Sequence, residues 1–183
     1  MQELLLVTHC APTLAGLKTG NLFTCRYSDS SQMNTVVSEW NQMFNGKGLL
    51  VRILKEEEGR ALIYVYRKAK LEQDLADLRV QEFLKGQGYC CGSIEAMLLH
   101  LSERIRENAE FPHEIGLFLG YPYEDVKGFI ENKGKNCKCT GCWKVYTDEC
   151  TARKLFQKYQ WCTEVYCRKL KEGIALQRLV VAA

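Results

Sequence analysis

Four cysteines fall within fourteen residues, CKCTGCWKVYTDEC: Cys137, Cys139, Cys142 and Cys150, spaced by one, two and seven residues. Thiolates in such a cluster are the ligand type that holds zinc or iron, and a C-x-x-C pair supplies two corners of a tetrahedron. Cys139 and Cys142 would be that pair, completed by Cys137 and Cys150. Residues i and i+2 of a strand share a face, so Cys137 and Cys139 converge in an extended segment. Cys142 joins them only if Thr140–Gly141 makes a turn. Cys162 and Cys167 stand as alternative ligands further along. The competing reading is an edge strand carrying spare thiols, because free cysteine is a small hydrophobe that packs readily.

A second arrangement is spread along the chain. THCAPTLAG sets Cys10 just ahead of Pro12, a residue suited to the first turn of a helix. A thiol at a helix N-terminus is acidified by the dipole and the free N–H groups. With His113 as base, Cys10 would be a nucleophile. With His9 and His113 as ligands, it would bind a soft or borderline metal. HEIGLFLG resembles the His-bearing strand of NlpC-type papain-like hydrolases, in which a cysteine at a helix start precedes the histidine. That resemblance implies a hydrolase or acyltransferase. The Asp-Cys-Ser-Gly setting of that nucleophile is missing here, and no orienting third residue is evident. The alternative places His113 in the first turn of a helix and makes Cys10 a packed thiol; the residue pattern favours it. His100 lies off the apolar stripe of its helix and reads as solvent-facing.

These side chains need a scaffold. APTLAGLK reads as a short helix stopped by Gly20, and NLFTCRY as a strand. SSQMNTVVSEWNQMF carries Val36, Val37, Trp40, Met43 and Phe44 on one helical face. LLVRILK and ALIYVYR, joined through EEEGR, are β-branched and aromatic segments that predict a hairpin. Leu71, Leu75 and Leu78 open a helix that fades near Gly86. Ser93 caps the next, with Ile94, Met97, Leu98, Leu101 and Ile105 inward. FPHEIGLFLG fits either a helix entered at Pro112 and Glu114 or a buried strand. KCTGCWKVY predicts a strand, and Asp148 the cap of the longest helix, which Gly173 closes. IALQRLVVA predicts a last strand. The expected fold is α+β, a mainly antiparallel sheet with a central hairpin covered by several helices.

Bulk properties narrow the function. A chain of 183 residues, 46% hydrophobic and 26% charged, predicts a single globular domain over 1–183. No segment reaches the roughly 20 apolar residues of a membrane span, and the N-terminus lacks a signal-peptide pattern. This predicts a cytoplasmic protein, whose ten cysteines are reduced thiols and not a disulfide framework. From Lys133 onward eleven Lys and Arg stand against four Asp and Glu. With Trp143, Tyr146, Tyr159, Trp161 and Tyr166 nearby, that suggests an RNA-binding surface. A basic outer helix face is more often solvation, which weighs against nucleic acid.

HCAPTLAGLKTGNLF, RALIYVYR, FPHEIGLFLGYPYEDVKGFI and GCWKVY, in this order, resemble the uncharacterised bacterial domain-of-unknown-function family 3793. The resemblance implies no particular activity; it suggests a context near flavodoxins and ferrous-iron transport. His9, Cys10, Lys18, Asn21, His113 and Lys144 fall inside the shared phrases, whereas the four-cysteine spacing does not belong to them. The expectation is an accessory protein that binds a metal or small ligand through a Cys/His site, linked to iron metabolism. The alternative is a papain-like Cys/His hydrolase or acyltransferase with Cys10 as nucleophile.

Overall fold

The computed structural model describes residues 2–107 and 111–182. The fold is α+β, and the chain divides into two compact units: residues 1–71 with 161–183, and residues 72–160.

The first unit is built on a three-stranded antiparallel sheet. Its strands are β1 (Gly20–Arg26), β2 (Leu49–Glu57) and β3 (Arg60–Arg67), in the order β1-β3-β2. The expected hairpin is β2–β3. Its loop is the two residues Glu58 and Gly59, both at positive φ (49° and 70°), the backbone twist that matches a right-handed strand pair. A bulge between Ile53 and Lys55 shifts the register of β2. Ala61, Ile63 and Val65 of β3 enter a core shared with Leu6, Val7 and Cys10 of α1 (Gln2–Leu14) and with Met33, Trp40 and Phe44 of α2 (Ser30–Phe44). Tyr64 and Tyr66 alternate with them and stack on each other at 4.8 Å. Asp29 caps α2 by accepting from the Ser31 N–H at 2.9 Å. Asn41 of α2 pairs with both backbone groups of Val51 at 2.8 Å, supplying edge strand β2 with a neighbour.

Two sequence expectations change here. The helix at the first motif runs from Gln2 to Leu14, not from Ala11 to Lys18, and Pro12 lies in its last turn. Gly16, at φ 71°, ends it: the Leu17 N–H reaches back to the Pro12 carbonyl at 2.8 Å, a Schellman closure. The last segment is not a strand but a short helix, α9 (Leu176–Leu179), because Leu176, Leu179 and Val180 repeat at helical spacing and enter the core.

Arg67, 3% exposed, ties this unit together. Its guanidinium donates to the carbonyls of Thr13 (2.8 Å), Leu14, Lys47 (2.9 Å) and Val181 (2.7 Å). Two of these acceptors lie at the carboxyl end of α1, where the dipole favours a cation. Lys47 adds bonds to the carbonyls of Gln177 and Val180.

The second unit is mainly helical. The helix expected from Leu71 through Gly86 is two: α3 (Lys68–Leu75), whose last residues lie in this unit, and α4 (Leu78–Gly86). Asp77 caps the second through the Arg79 N–H at 2.9 Å, which leaves Leu78 80% exposed and turns Val80 and Leu84 inward. Ser93 caps α5 (Ile94–Glu107), with Met97, Leu98, Leu101 and Ile105 buried as expected. His113 stands in a turn ahead of α6 (Ile115–Phe118), so residues 113–120 take the helical alternative and not the strand. Then follow α7 (Tyr123–Glu131) and a small hairpin, β4 (Cys139–Thr140) with β5 (Lys144–Val145). Asp148 caps α8 (Glu149–Lys171), the longest helix, accepting from the Thr151 N–H at 3.0 Å. Glu114, buried, accepts from Arg104 Nε at 2.6 Å and from the Tyr89 hydroxyl at 3.0 Å. Among the described residues no helix is long and apolar enough to cross a membrane.

Candidate functional site

The β4–β5 hairpin is held by one carboxylate. Asp125, in the first turn of α7 and 2% exposed, accepts four hydrogen bonds. Its Oδ1 takes the backbone N–H groups of Tyr146 (2.8 Å) and Thr147 (3.0 Å) and the Thr147 hydroxyl (2.9 Å); its Oδ2 takes the Trp143 indole N–H at 2.8 Å. The indole is thereby fixed in one orientation. Tyr121 stacks on it at 4.8 Å and Phe156 meets it edge-on at 4.6 Å. Gly141 makes this packing feasible: a Cβ there would stand 2.1 Å from the Phe156 ring. Burial pushes the Tyr121 phenol well above its usual range, and its hydroxyl donates to the Cys142 carbonyl at 3.1 Å.

Beside these rings lies a cavity of about 250 Å³. Ile115, Gly116 and Val126 give it an apolar side, and Tyr121, Phe129 and Trp143 give it aromatic walls. Two basic side chains line it as well. The Lys144 ammonium sits 5.7 Å above the Phe129 ring and donates to the Gly134 carbonyl at 2.8 Å. The exposed His113 imidazole meets the same ring edge-on at 4.8 Å. Phe129 thus has a basic group at two of its approaches. The arrangement suits a flat, small molecule with a polar end. Of the lining residues, sequence reasoning named His113 and Lys144 as site candidates. It missed Asp125 and Phe129, which sit in one helix phrase, YEDVKGFIE, with no spacing that marks either.

The other candidates are placed elsewhere. Cys10 is completely buried inside α1, with most of the helix ahead of it, so the acidifying helix end is not available to it. Burial pushes its thiol far above the usual range, and the nearby Lys18 ammonium offsets this only in part. Consecutive helix residues point about 100° apart; His9 accordingly faces outward and stacks on Phe23 at 5.8 Å while Cys10 faces the core. Lys18 is buried, and Asn21 Oδ1 accepts from the Thr13 hydroxyl at 2.7 Å. Cys10 belongs to the first unit and His113 to the second.

Among the described residues no three His, Cys, Asp or Glu side chains form a group able to hold a metal. The hairpin explains this for the cysteine cluster. Cys139 pairs with Val145 and is buried with it, while Cys142 lies in the connecting turn and is exposed. Cys150 is exposed on the first turn of α8, and Cys137 Sγ rests 3.6 Å from the Thr140 hydroxyl. All ten cysteines are free thiols.

No curated protein and no solved structure matches this chain significantly. One family model does, across residues 6–180, which takes in the α1 turn, the central hairpin and the whole aromatic pocket. The chain therefore belongs to the family described as Protein of unknown function (DUF3793).

Proposed function

We propose that this protein binds a small molecule in the aromatic pocket of its second unit. The observation that carries the reading is the meeting of His113 and Lys144 at the Phe129 ring, beside a cavity walled by Tyr121 and Trp143. A concave, mostly apolar site with a few convergent polar groups is the usual form of a ligand pocket. The rigid support of Trp143 through Asp125 means that the walls are set before a ligand arrives, which limits the ordering cost of binding. Of the functions expected from sequence, this keeps small-ligand binding and, of the residues expected to serve it, His113 and Lys144. Cys10, buried and with a raised thiol, lacks the accessible thiolate that a nucleophile needs.

The test is a thermal-shift screen of small metabolites against the wild type and Thr140→Trp. Thr140 is exposed and lines the cavity, so an indole there obstructs the pocket without entering the core. A ligand at 100 times its Kd raises stability by about 2.7 kcal/mol. At least one compound is expected to raise Tm in the wild type and not in the variant. Compounds that stabilise both equally, or none at all, end the reading.

A further inference from the structure

The pocket's charge points to a class of ligand, an inference that rests on the binding reading above. Lys144 uses one of its three N–H donors on the Gly134 carbonyl, a neutral acceptor. Among the described residues it forms no ion pair. Among the described residues the one carboxylate lining the cavity, Asp125, is occupied at both oxygens by four donors. A half-buried ammonium with two donors left over, and a histidine beside the same ring, is a site for an anion.

Size and shape restrict that anion further. A cavity of about 150 Å³ accepts benzene, so 250 Å³ has room for a substituted or two-ring system. The stacked Tyr121–Trp143 pair and the face of Phe129 favour a flat π-system over a branched aliphatic chain. Lys144 stands over Phe129, so one ligand can lay its ring along the aromatic wall and its charge on the ammonium. Phosphate groups are typically cradled by arginine forks or runs of backbone N–H groups; among the described residues the lining contains no arginine. We infer that the pocket takes a planar aromatic carboxylate of one or two rings, with its carboxylate paired to Lys144.

Calorimetric titration with naphthalene-2-carboxylate, its carboxamide and 2-naphthylmethylammonium tests this on the full chain. The three probes share a ring and differ in charge. The carboxylate is expected to bind at least tenfold tighter than the amide, and the ammonium weakest. Lys144→Met should bring the carboxylate down to the affinity of the amide and leave amide binding in place, while Lys144→Arg keeps most of the preference. In NMR spectra the carboxylate should move the indole N–H signal of Trp143 and not those of Trp40 and Trp161. An amide that binds as well as the carboxylate overturns the ligand class and leaves the pocket reading standing. Tight binding of the ammonium does the same. If no probe binds at millimolar concentration the class also falls, and the Thr140→Trp screen decides the pocket separately.

Discussion

At the scale of single residues, Cys10 and Asp125 show how burial decides chemistry. Cys10 is a neutral thiol in the core, and its ionisation is suppressed in the folded state. The unfolded chain ionises the same thiol near pH 8.5. Above that pH the unfolded state has released a proton that the folded state retains, so the contribution of Cys10 to stability is full at neutral pH and falls as pH rises. Cys10→Ala should cost about 1 kcal/mol at pH 7 through the space it leaves. In urea melts from pH 7 to 10 the gap between wild type and variant should narrow; a gap that widens contradicts this. Asp125 is buried as deeply, and donors meet both of its oxygens. Asp125→Asn keeps the shape but turns one acceptor into a donor facing other donors, and should cost about 2 kcal/mol. The lost indole bond should also appear as a shift of the Trp143 signal. Little of this was legible in the sequence. His113 and Lys144 were marked as candidates by their phrases, but Asp125 was one acid among several, and nothing along the chain says that its four donors lie 18 to 22 residues away.

At the scale of elements, legibility followed how local the determining forces are. The β2–β3 hairpin and α2 were readable because β-branched and aromatic runs, a short Gly-bearing loop and an apolar helical face act within a few residues. The α1 boundaries were misread because two glycines compete: Gly16, not Gly20, takes the left-handed position, and Pro12 is tolerated late in the helix. The last segment looked β-branched at Val180 and Val181, yet tertiary burial of Leu176 and Leu179 set a helical turn instead. The β4–β5 hairpin depends on a long-range contact at Gly141. Gly141→Ala must displace the Phe156 ring and should destabilise the protein by about 1–3 kcal/mol. Phe156→Leu, by removing the ring, should make the alanine at 141 less costly; a double-mutant cycle measures that coupling. Arg67→Met leaves the carbonyls of Thr13, Leu14, Lys47 and Val181 short of a donor. It should cost on the order of 3 kcal/mol and expose the segment after Gly173 to limited proteolysis.

At the scale of the whole molecule, the family phrases divide between two kinds of work. Those near the N-terminus and in β3 build the first unit's core and its Arg67 clamp; those between 111 and 146 build the pocket. Hydrogen exchange with and without naphthalene-2-carboxylate should therefore show added protection around Ile115–Phe129 and 140–146, and none in Leu49–Arg67. A ligand acting on the first unit would give the reverse. Thiol reactivity offers a second global check. The exposed Cys90, Cys142 and Cys150 should label first, the buried Cys10, Cys25, Cys139 and Cys162 last, and all ten alike after denaturation.

The clamp has one more consequence, which concerns synthesis. Leu176, Leu179 and Val180 belong to the same core as Leu6, and Arg67 and Lys47 wait for carbonyls at 177, 180 and 181. A nascent chain on the ribosome can present the sheet, α1 and α2 long before it can complete their core. Residues 72–160, with the pocket, emerge in between. A message truncated after codon 173 would yield a chain with every pocket residue present and the first unit's core short of Leu176, Leu179 and Val180, a substrate for quality-control proteases before it could bind anything.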